Sequence, residues 1–223
     1  MKHWKPAAIA ALWSGALYAA PMPVVASFSI LGDVAQQIGG ERVGVQNLVG
    51  ANQEAQAYNL TSGDIKKIRE ARLVLLNGLG LEKAELQRAV KQSKVASAEA
   101  TAGIKPLAAD EHHHEHGHDH DHDHGEFDPH VWNDPVLMQR YAANVAIALI
   151  KADPAGSRYY QQRFKDYQHV LNQLNNYANQ QFGAVAPAKR KVLTGHDSFA
   201  YLGKRYQVKF ISPQGVSSEA EPS

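Results

Sequence analysis

The hydrophobic residues of the first hundred positions fall in short runs separated by amphipathic stretches. The runs occupy residues 24–30, 43–49, 73–76 and 94–98 and are rich in β-branched and aliphatic side chains. The stretches between them, at 32–40, from Ser62 or Asp64 to about 72, and at 81–93, have helical composition, with Ser62 or Asp64 as the cap of the second helix. Strand and helix therefore alternate four times, which predicts a parallel sheet covered by helices.

The pattern changes to long helices after residue 134. Asp134-Pro135 and Asp153-Pro154 each combine an N-cap residue with proline at the first helical position. Beyond the second pair, apolar residues recur at spacings of four and three: Tyr160, Phe164, Tyr167, Leu171, Leu174, Ala178 and Phe182. This spacing predicts one helix of roughly 29 residues, about 43 Å long, which would act as a rigid strut between two lobes.

Strand and helix alternate again after Pro187. Residues 191–194 and 208–211 are predicted strands, and Asp197 is the expected cap of the helix between them. Two strands and one helix cannot cover a sheet on both faces. The expected fold is therefore α/β, with two (β/α) lobes of parallel sheet joined by a long rigid helix and the second lobe incomplete. The predicted division is 21–134, 135–186 and 187–223.

The first twenty residues have the features of a secretory signal. Lys2 and Lys5 precede an apolar run from 7 to 20 that is too short to span a membrane, and cleavage is expected near Ala20. The sequence has no cysteine, so a lipid-anchored N-terminal cysteine is excluded and the mature protein is expected to be soluble in the periplasm. Without thiolates, any metal must be held by His, Asp, Glu, Gln or water.

Overall charge gives little information about a macromolecular partner. The net charge is +1 over 223 residues, and no basic face suggests binding to nucleic acid.

Histidine is concentrated in one internal segment. Eight of the twelve histidines lie between 112 and 124: His112, His113, His114, His116, His118, His120, His122 and His124. Residues 111–126 include no hydrophobic side chain, which predicts a solvated loop. An expression tag would lie at a terminus, and a merely hydrophilic loop would use Lys, Ser and Glu. Imidazole and carboxylate together suit zinc, so we interpret this His-rich loop as an accessory, weak, multi-site metal binder.

Two further histidines lie where a parallel sheet usually places ligands. His130 follows the fourth strand region, and His196 directly follows the predicted strand at 191–194. Ligands bind beyond the carboxyl ends of strands in α/β sheets, and these two residues come from different lobes. A metal bridging them is one interpretation, and buried structural or capping histidines are the other.

Several short motifs occur in the order typical of one family. They are residues 27–33 (SFSILGD), 48–50 (LVG), 58–64, 77–79 (NGL), 128–132 (DPHVW) and 195–197 (GHD). In this order the chain resembles the zinc- and manganese-binding receptors of bacterial ABC importers, the cluster A-I solute-binding proteins. The resemblance implies two lobes joined by a long helix, a metal held in the cleft between them, and a membrane permease as partner. The His-rich loop favours Zn²⁺ over manganese.

The chain departs from the family pattern at one expected ligand. The family has Asp-x-His-x-Tyr after its second strand, whereas this chain has Glu54-Ala55-Gln56-Ala57-Tyr58. Gln56 occupies the histidine position, and Glu54 is the alternative ligand. The family's fourth ligand, a carboxylate from later in the second lobe, would lie beyond Ser223. The resemblance thus implies a site of His130, His196 and either Gln56 or Glu54.

Three functions are compatible with these residues. The favoured one is a periplasmic zinc receptor, monomeric if complete, that binds and releases zinc without catalysis. A periplasmic zinc buffer or chaperone, or a non-functional truncated receptor, is the alternative. A metallohydrolase would use His130, His196 and Glu54 as an open zinc site, but the sequence offers no separate general base or nucleophile motif.

Overall fold

The computed structural model describes residues 20–109, 126–195 and 197–212. The predicted signal segment, apart from Ala20, therefore lies outside the described residues. The first sheet has four parallel strands: β1 (Met22–Phe28), β2 (Val43–Val49), β3 (Leu73–Leu76) and β4 (Ala96–Glu99). Their order across the sheet is β2-β1-β3-β4, and because all are parallel, their carboxyl ends meet at one edge.

Helices bury both faces of this sheet. They are α1 (Ser29–Gly39), α2 (Ser62–Glu70), α3 (Ala84–Ser93) and α4 (Pro135–Ala152). Successive residues of β3 belong to different hydrophobic clusters: Leu73 and Leu75 pack with residues of α1 and α4, whereas Val74 packs with residues of α2 and α3. This division explains why the strands are continuously apolar rather than alternating.

The helix α4 belongs to the layer that covers the first sheet. The predicted cap is confirmed, since Asp134 accepts hydrogen bonds from the backbone N–H groups of Val136 and Leu137, with proline at the first helical position. Tyr141 and Leu149 of α4 are fully buried in the same cluster as Leu31 of α1. The sequence grouped residues 135–152 with a linker, whereas these contacts pack α4 against the sheet.

The cap of α2 is Thr61, not Ser62 or Asp64. The Thr61 hydroxyl accepts a hydrogen bond from the Asp64 backbone N–H, and the Asp64 carboxylate accepts one from the Thr61 N–H. Asp64 also accepts from the hydroxyls of Tyr58 and Thr61 and from Lys67. Burial by itself raises the pKa of Asp64, but the hydrogen bonds from Thr61 and Tyr58 outweigh it and lower the pKa to about 2.

The long helix α5 (Ser157–Gly183) is confirmed, but its predicted cap is wrong. The Asp153 carboxylate makes no cap; it pairs with Arg42 at 2.7 Å and accepts from the Tyr160 hydroxyl at 2.7 Å. A 3₁₀ turn at Pro154–Gly156 precedes the helix. The 27 residues of α5 span about 40 Å.

The second sheet in the described part of the chain consists of β5 (Lys191–Leu193) and β6 (Lys209–Ile211), which are parallel. The helix between them, α6 (Ala200–Tyr206), begins after Phe199 without a side-chain cap, so the predicted Asp197 cap is wrong. Tyr206 stacks on Phe182 of α5 with ring centroids 5.2 Å apart. Parallel sheets connected by a long helix confirm the α/β class.

No helix in the described ranges is both long enough and apolar enough to cross a membrane.

Candidate functional site

The chain enters the candidate site through a short antiparallel pairing. Ala108 and Phe127 form an isolated bridge, and the Asp128 N–H donates to the Leu107 carbonyl at 2.9 Å. These contacts join the chain on either side of residues 110–125. The eight histidines at 112–124 lie outside the described residues, so their interpretation as an accessory metal binder stays a prediction.

Asn77, the first residue after β3, holds the segment around Pro129 against the sheet edge. Its side-chain amide donates to the Pro129 carbonyl at 3.1 Å, and its Oδ1 accepts from the Tyr141 hydroxyl at 3.0 Å. Gly78 follows with a φ of +87°, and a Cβ there would lie 2.7 Å from the Thr101 hydroxyl. Glycine is therefore required at this turn, and the turn fixes the backbone just before His130.

His130 and Asp128 form a buried pair at this edge. Oδ1 of Asp128 lies 2.9 Å from the His130 backbone nitrogen and 2.7 Å from its ring Nδ1. The residues are only 3% and 1% exposed. A carboxylate at this position favours the proton on Nδ1 and makes Nε2 the basic ring nitrogen, which is the arrangement common behind metal-binding histidines.

Aromatic rings and an unpaired oxygen complete the surroundings of the pair. The rings of Trp132 and His130 meet edge-on, with their centroids 5.2 Å apart. The ring centroid of Phe28, the last residue of β1, lies 4.8 Å from that of Trp132. Among the described residues, the second carboxylate oxygen of Asp128 has no hydrogen-bond partner. Sequence reasoning gave Asp128 no role, although an aspartate two residues before a histidine was a usable signal.

Gln56 and Glu54 lie in the segment that follows β2, at the same edge of the sheet. Ala55 and Tyr58 pack against the hydrophobic cluster that also includes Trp132, and the Tyr58 hydroxyl donates to Asp64 at 2.7 Å. Gln56 is half-buried, whereas Glu54 is exposed. One carboxylate oxygen of Glu54 accepts from the Gln56 N–H at 3.4 Å.

His196 lies outside the described residues, but two residues that follow it in the chain contact Asn133 and Asp134. The Asn133 side-chain amide donates to the Ser198 carbonyl at 2.6 Å. Arg205 of α6 forms an ion pair with Asp134 at 2.8 Å. Within 20–109, 126–195 and 197–212, no group of three His, Asp or Glu side chains is arranged to hold a metal. The described residues thus supply the Asp128–His130 pair and not a complete ligand set.

A separate cavity of about 370 Å³ opens at the same edge, lined in part by Ser27, Tyr58 and Glu82. The buried Glu82 accepts from the Ser27 hydroxyl at 2.7 Å and from the backbone N–H groups of Asn77 and Gly78. Burial raises the pKa of Glu82 despite these hydrogen bonds. Neither His130 nor Gln56 lines this cavity, and sequence reasoning had not identified Glu82.

The chain is similar to curated metal-binding proteins over most of its length. It is 32% identical over 203 residues to the high-affinity zinc uptake system protein ZnuA of Bacillus subtilis (strain 168), covering 90% of this chain and 63% of that protein. It is 28% identical over 200 residues to the manganese ABC transporter substrate-binding lipoprotein PsaA of Streptococcus anginosus, covering 90% and 64%. The chain therefore spans less than two thirds of the length of these relatives.

Solved structures of metal-binding proteins share the fold of this chain. A family model also matches most of the sequence. The periplasmic zinc-binding protein TroA of Treponema pallidum superposes with a TM-score of 0.80 at 27% identity, covering 91% of this chain and 70% of TroA. A manganese-bound periplasmic metal-binding protein of Candidatus Liberibacter asiaticus gives 0.77 at 28%, covering 90% and 71%. The model of the zinc-uptake complex component A, periplasmic (ZnuA), matches residues 24–223. The chain thus belongs to the ZnuA family of periplasmic zinc-uptake components.

Proposed function

We propose that this protein captures zinc in the periplasm and delivers it to a membrane ABC importer. The observation that carries the proposal is the buried Asp128–His130 pair at the carboxyl edge of the first sheet. A histidine whose Nδ1 is held by a carboxylate presents its other nitrogen as a neutral ligand, in a fixed direction. Binding and release would follow from two conformations of different affinity, without bond chemistry.

The proposed ligands are His130, His196 and one residue of the segment after β2. Gln56 is preferred over Glu54 because it is half-buried, whereas Glu54 is exposed to water. A glutamine oxygen is a weaker zinc ligand than imidazole, so this position is expected to limit the affinity.

Zinc is preferred over manganese because of the histidine content. Imidazole ligands suit zinc, whereas manganese is better matched by oxygen ligands. The names of the relatives include both metals, so they do not decide the question. The eight histidines at 112–124 would collect zinc weakly and raise its concentration near the cleft.

The proposed location and partner follow from the family. We expect a soluble periplasmic protein, released from its signal near Ala20, that would be monomeric if complete and docks to the permease of an ABC importer. No nucleic acid is involved.

A periplasmic zinc buffer is the second candidate, and Gln56 favours it. Glutamine in place of the family's histidine would weaken the cleft site, while the His-rich segment would still bind several ions. A buffer would show many weak equivalents and no tight one.

Competition titrations with a zinc chromophore test the receptor proposal. One tight equivalent is expected, and it should be lost in His130→Ala and in His196→Ala. His169→Ala is the matched control, because His169 is exposed on α5. Parallel titrations with manganese should give weaker binding. A wild-type protein with only weak equivalents would favour the buffer, and a tight site unaffected by His130→Ala would contradict the assignment.

A further inference from the structure

The hydroxyl of Tyr201 makes two hydrogen bonds beside the candidate site. It donates to the Asp128 carbonyl at 2.6 Å and accepts from the Leu107 N–H at 3.0 Å. Leu107 and Asp128 are already paired through the Leu107 carbonyl and the Asp128 N–H. One hydroxyl therefore joins both chain segments at the point where they meet.

Tyr201 belongs to α6, the helix that connects the two strands of the second sheet. It is only 3% exposed, with its ring in the hydrophobic cluster of the first sheet. Burial raises the pKa of Tyr201 to about 12, so the hydroxyl keeps its proton and remains a donor at physiological pH. Arg205 of the same helix pairs with Asp134.

The backbone of Asp128 is the part of the site that Tyr201 controls. The Asp128 N–H donates to the Leu107 carbonyl, and the Asp128 carbonyl accepts from the Tyr201 hydroxyl. Hydrogen bonds therefore hold the backbone on both sides of Asp128. The Asp128 carboxylate in turn holds both the backbone nitrogen and the ring of His130. A shift of the Asp128 backbone would therefore turn the imidazole.

We propose that Tyr201 is a positioning residue for metal binding: by holding the Asp128 carbonyl, it sets the orientation in which His130 meets the metal. This inference rests on the proposed function, because it assumes that His130 is a ligand. Tyr201 of α6 would thus affect His130, a ligand that belongs to the first lobe.

The test compares two tyrosines of the same helix in the 223-residue chain. Tyr201→Phe removes the hydroxyl and keeps the buried ring. Tyr206→Phe is the matched control, because the Tyr206 hydroxyl is also buried and donates to Asn175 of α5 at 3.0 Å, away from Asp128. Each variant is titrated with zinc against a chromophore, its visible spectrum is recorded with Co²⁺, and its thermal unfolding is measured without metal.

Tyr201→Phe is expected to weaken tight zinc binding about tenfold and to change the Co²⁺ absorption bands, which report ligand geometry. Tyr206→Phe should lower the melting temperature about as much as Tyr201→Phe does. It should leave both the zinc affinity and the Co²⁺ spectrum unchanged. Equal effects of the two variants on affinity would overturn the proposal, as would an unaltered Co²⁺ spectrum in Tyr201→Phe. A His130→Ala protein that retains the tight site and the Co²⁺ spectrum would instead reject the proposed function.

A measurement on the unmodified protein covers the case in which Tyr201→Phe does not fold. The Leu107 N–H donates to the Tyr201 hydroxyl, and the Glu41 N–H donates to the Tyr159 hydroxyl at 3.3 Å, remote in sequence from the site. If Tyr201 is coupled to the metal, saturating zinc should slow hydrogen exchange at Leu107 about tenfold and leave Glu41 unchanged. Unchanged exchange at Leu107 would refute the coupling.

Discussion

The imidazole Nδ1 of His130 lies 2.7 Å from the carboxylate Oδ1 of Asp128, in a site where both side chains are almost completely buried. The carboxylate is thus shielded from bulk water and contacts the ring directly, so it helps to set the direction of the imidazole. The same oxygen also accepts the His130 backbone N–H. Two hydrogen bonds therefore join Asp128 to His130, and the two residues can be tested separately.

Removing the carboxylate should weaken metal binding without removing the ligand. We expect Asp128→Ala to reduce tight zinc affinity by about 10- to 100-fold, the usual cost of losing the partner behind a metal-binding histidine. Asp166→Ala is the control, because Asp166 is exposed on α5 and accepts a hydrogen bond from the neighbouring Gln162 at 2.9 Å. An affinity equal to that of the control would show that Asp128 does not orient the ligand.

Histidine at position 56 should strengthen the site. If Gln56 supplies a weak oxygen or none, Gln56→His should tighten zinc binding by one to two orders of magnitude, about 1.4–2.7 kcal/mol. The gain should fade as pH falls below about 6.5, because only neutral imidazole binds zinc. If Glu54 is the ligand instead, Gln56→His will change nothing and Glu54→Gln will weaken binding. Competition titrations on both variants separate these outcomes.

The His-rich segment and the cleft should bind zinc independently. Residues 112–124 include no apolar side chain, whereas His130 is buried beside the first sheet. Deleting 112–124 should remove several weak equivalents and leave the tight site within about tenfold, or ~1.4 kcal/mol. Calorimetry would count the equivalents, and loss of the tight site on deletion would contradict independence.

Asp64 should make stability sensitive to acid. Its folded-state pKa of about 2 lies below the ordinary value of 3.8, so its contribution is present above about pH 4 and is lost as pH falls through 2. Asp64→Asn should therefore lower the free energy of unfolding at pH 7, by about 1.5–3 kcal/mol for hydrogen bonds to a charged group. The difference from wild type should shrink between pH 4 and pH 2. Denaturant titrations at several pH values measure it, with the exposed Asp33→Asn as control.

The second sheet should promote association of the 223-residue chain. Val192, Leu193 and Ile211 are 42%, 76% and 47% exposed, and they lie on adjacent strands. Exposed apolar residues clustered in this way favour dimers or aggregates. Leu193→Thr should shift light scattering toward the monomer, with Ile147→Thr on α4 as the exposed control. A monomeric, cooperatively folding wild-type protein would contradict this expectation.

The sequence alone determined the first sheet and the long helix, because both depend on local periodicity. The predicted bounds 43–49 and 73–76 match β2 and β3, since apolar runs bounded by turn residues leave little choice of ends. Asp134-Pro135 predicted the start of α4 for the same reason: its capping bonds reach only two and three residues along the chain. The family motifs likewise appeared in order.

Only the tertiary structure decided how the polar side chains are used. Asp153 precedes a proline as Asp134 does, yet its carboxylate pairs with Arg42, 111 residues away, and it does not cap α5. The Asp128–His130 pair needs Asn77 to fix the Pro129 carbonyl and Tyr201 to hold the Asp128 carbonyl, contacts across 52 and 73 residues. Periodicity carries no information about such distant partners, because a buried polar group is satisfied by whichever donor or acceptor the fold brings next to it.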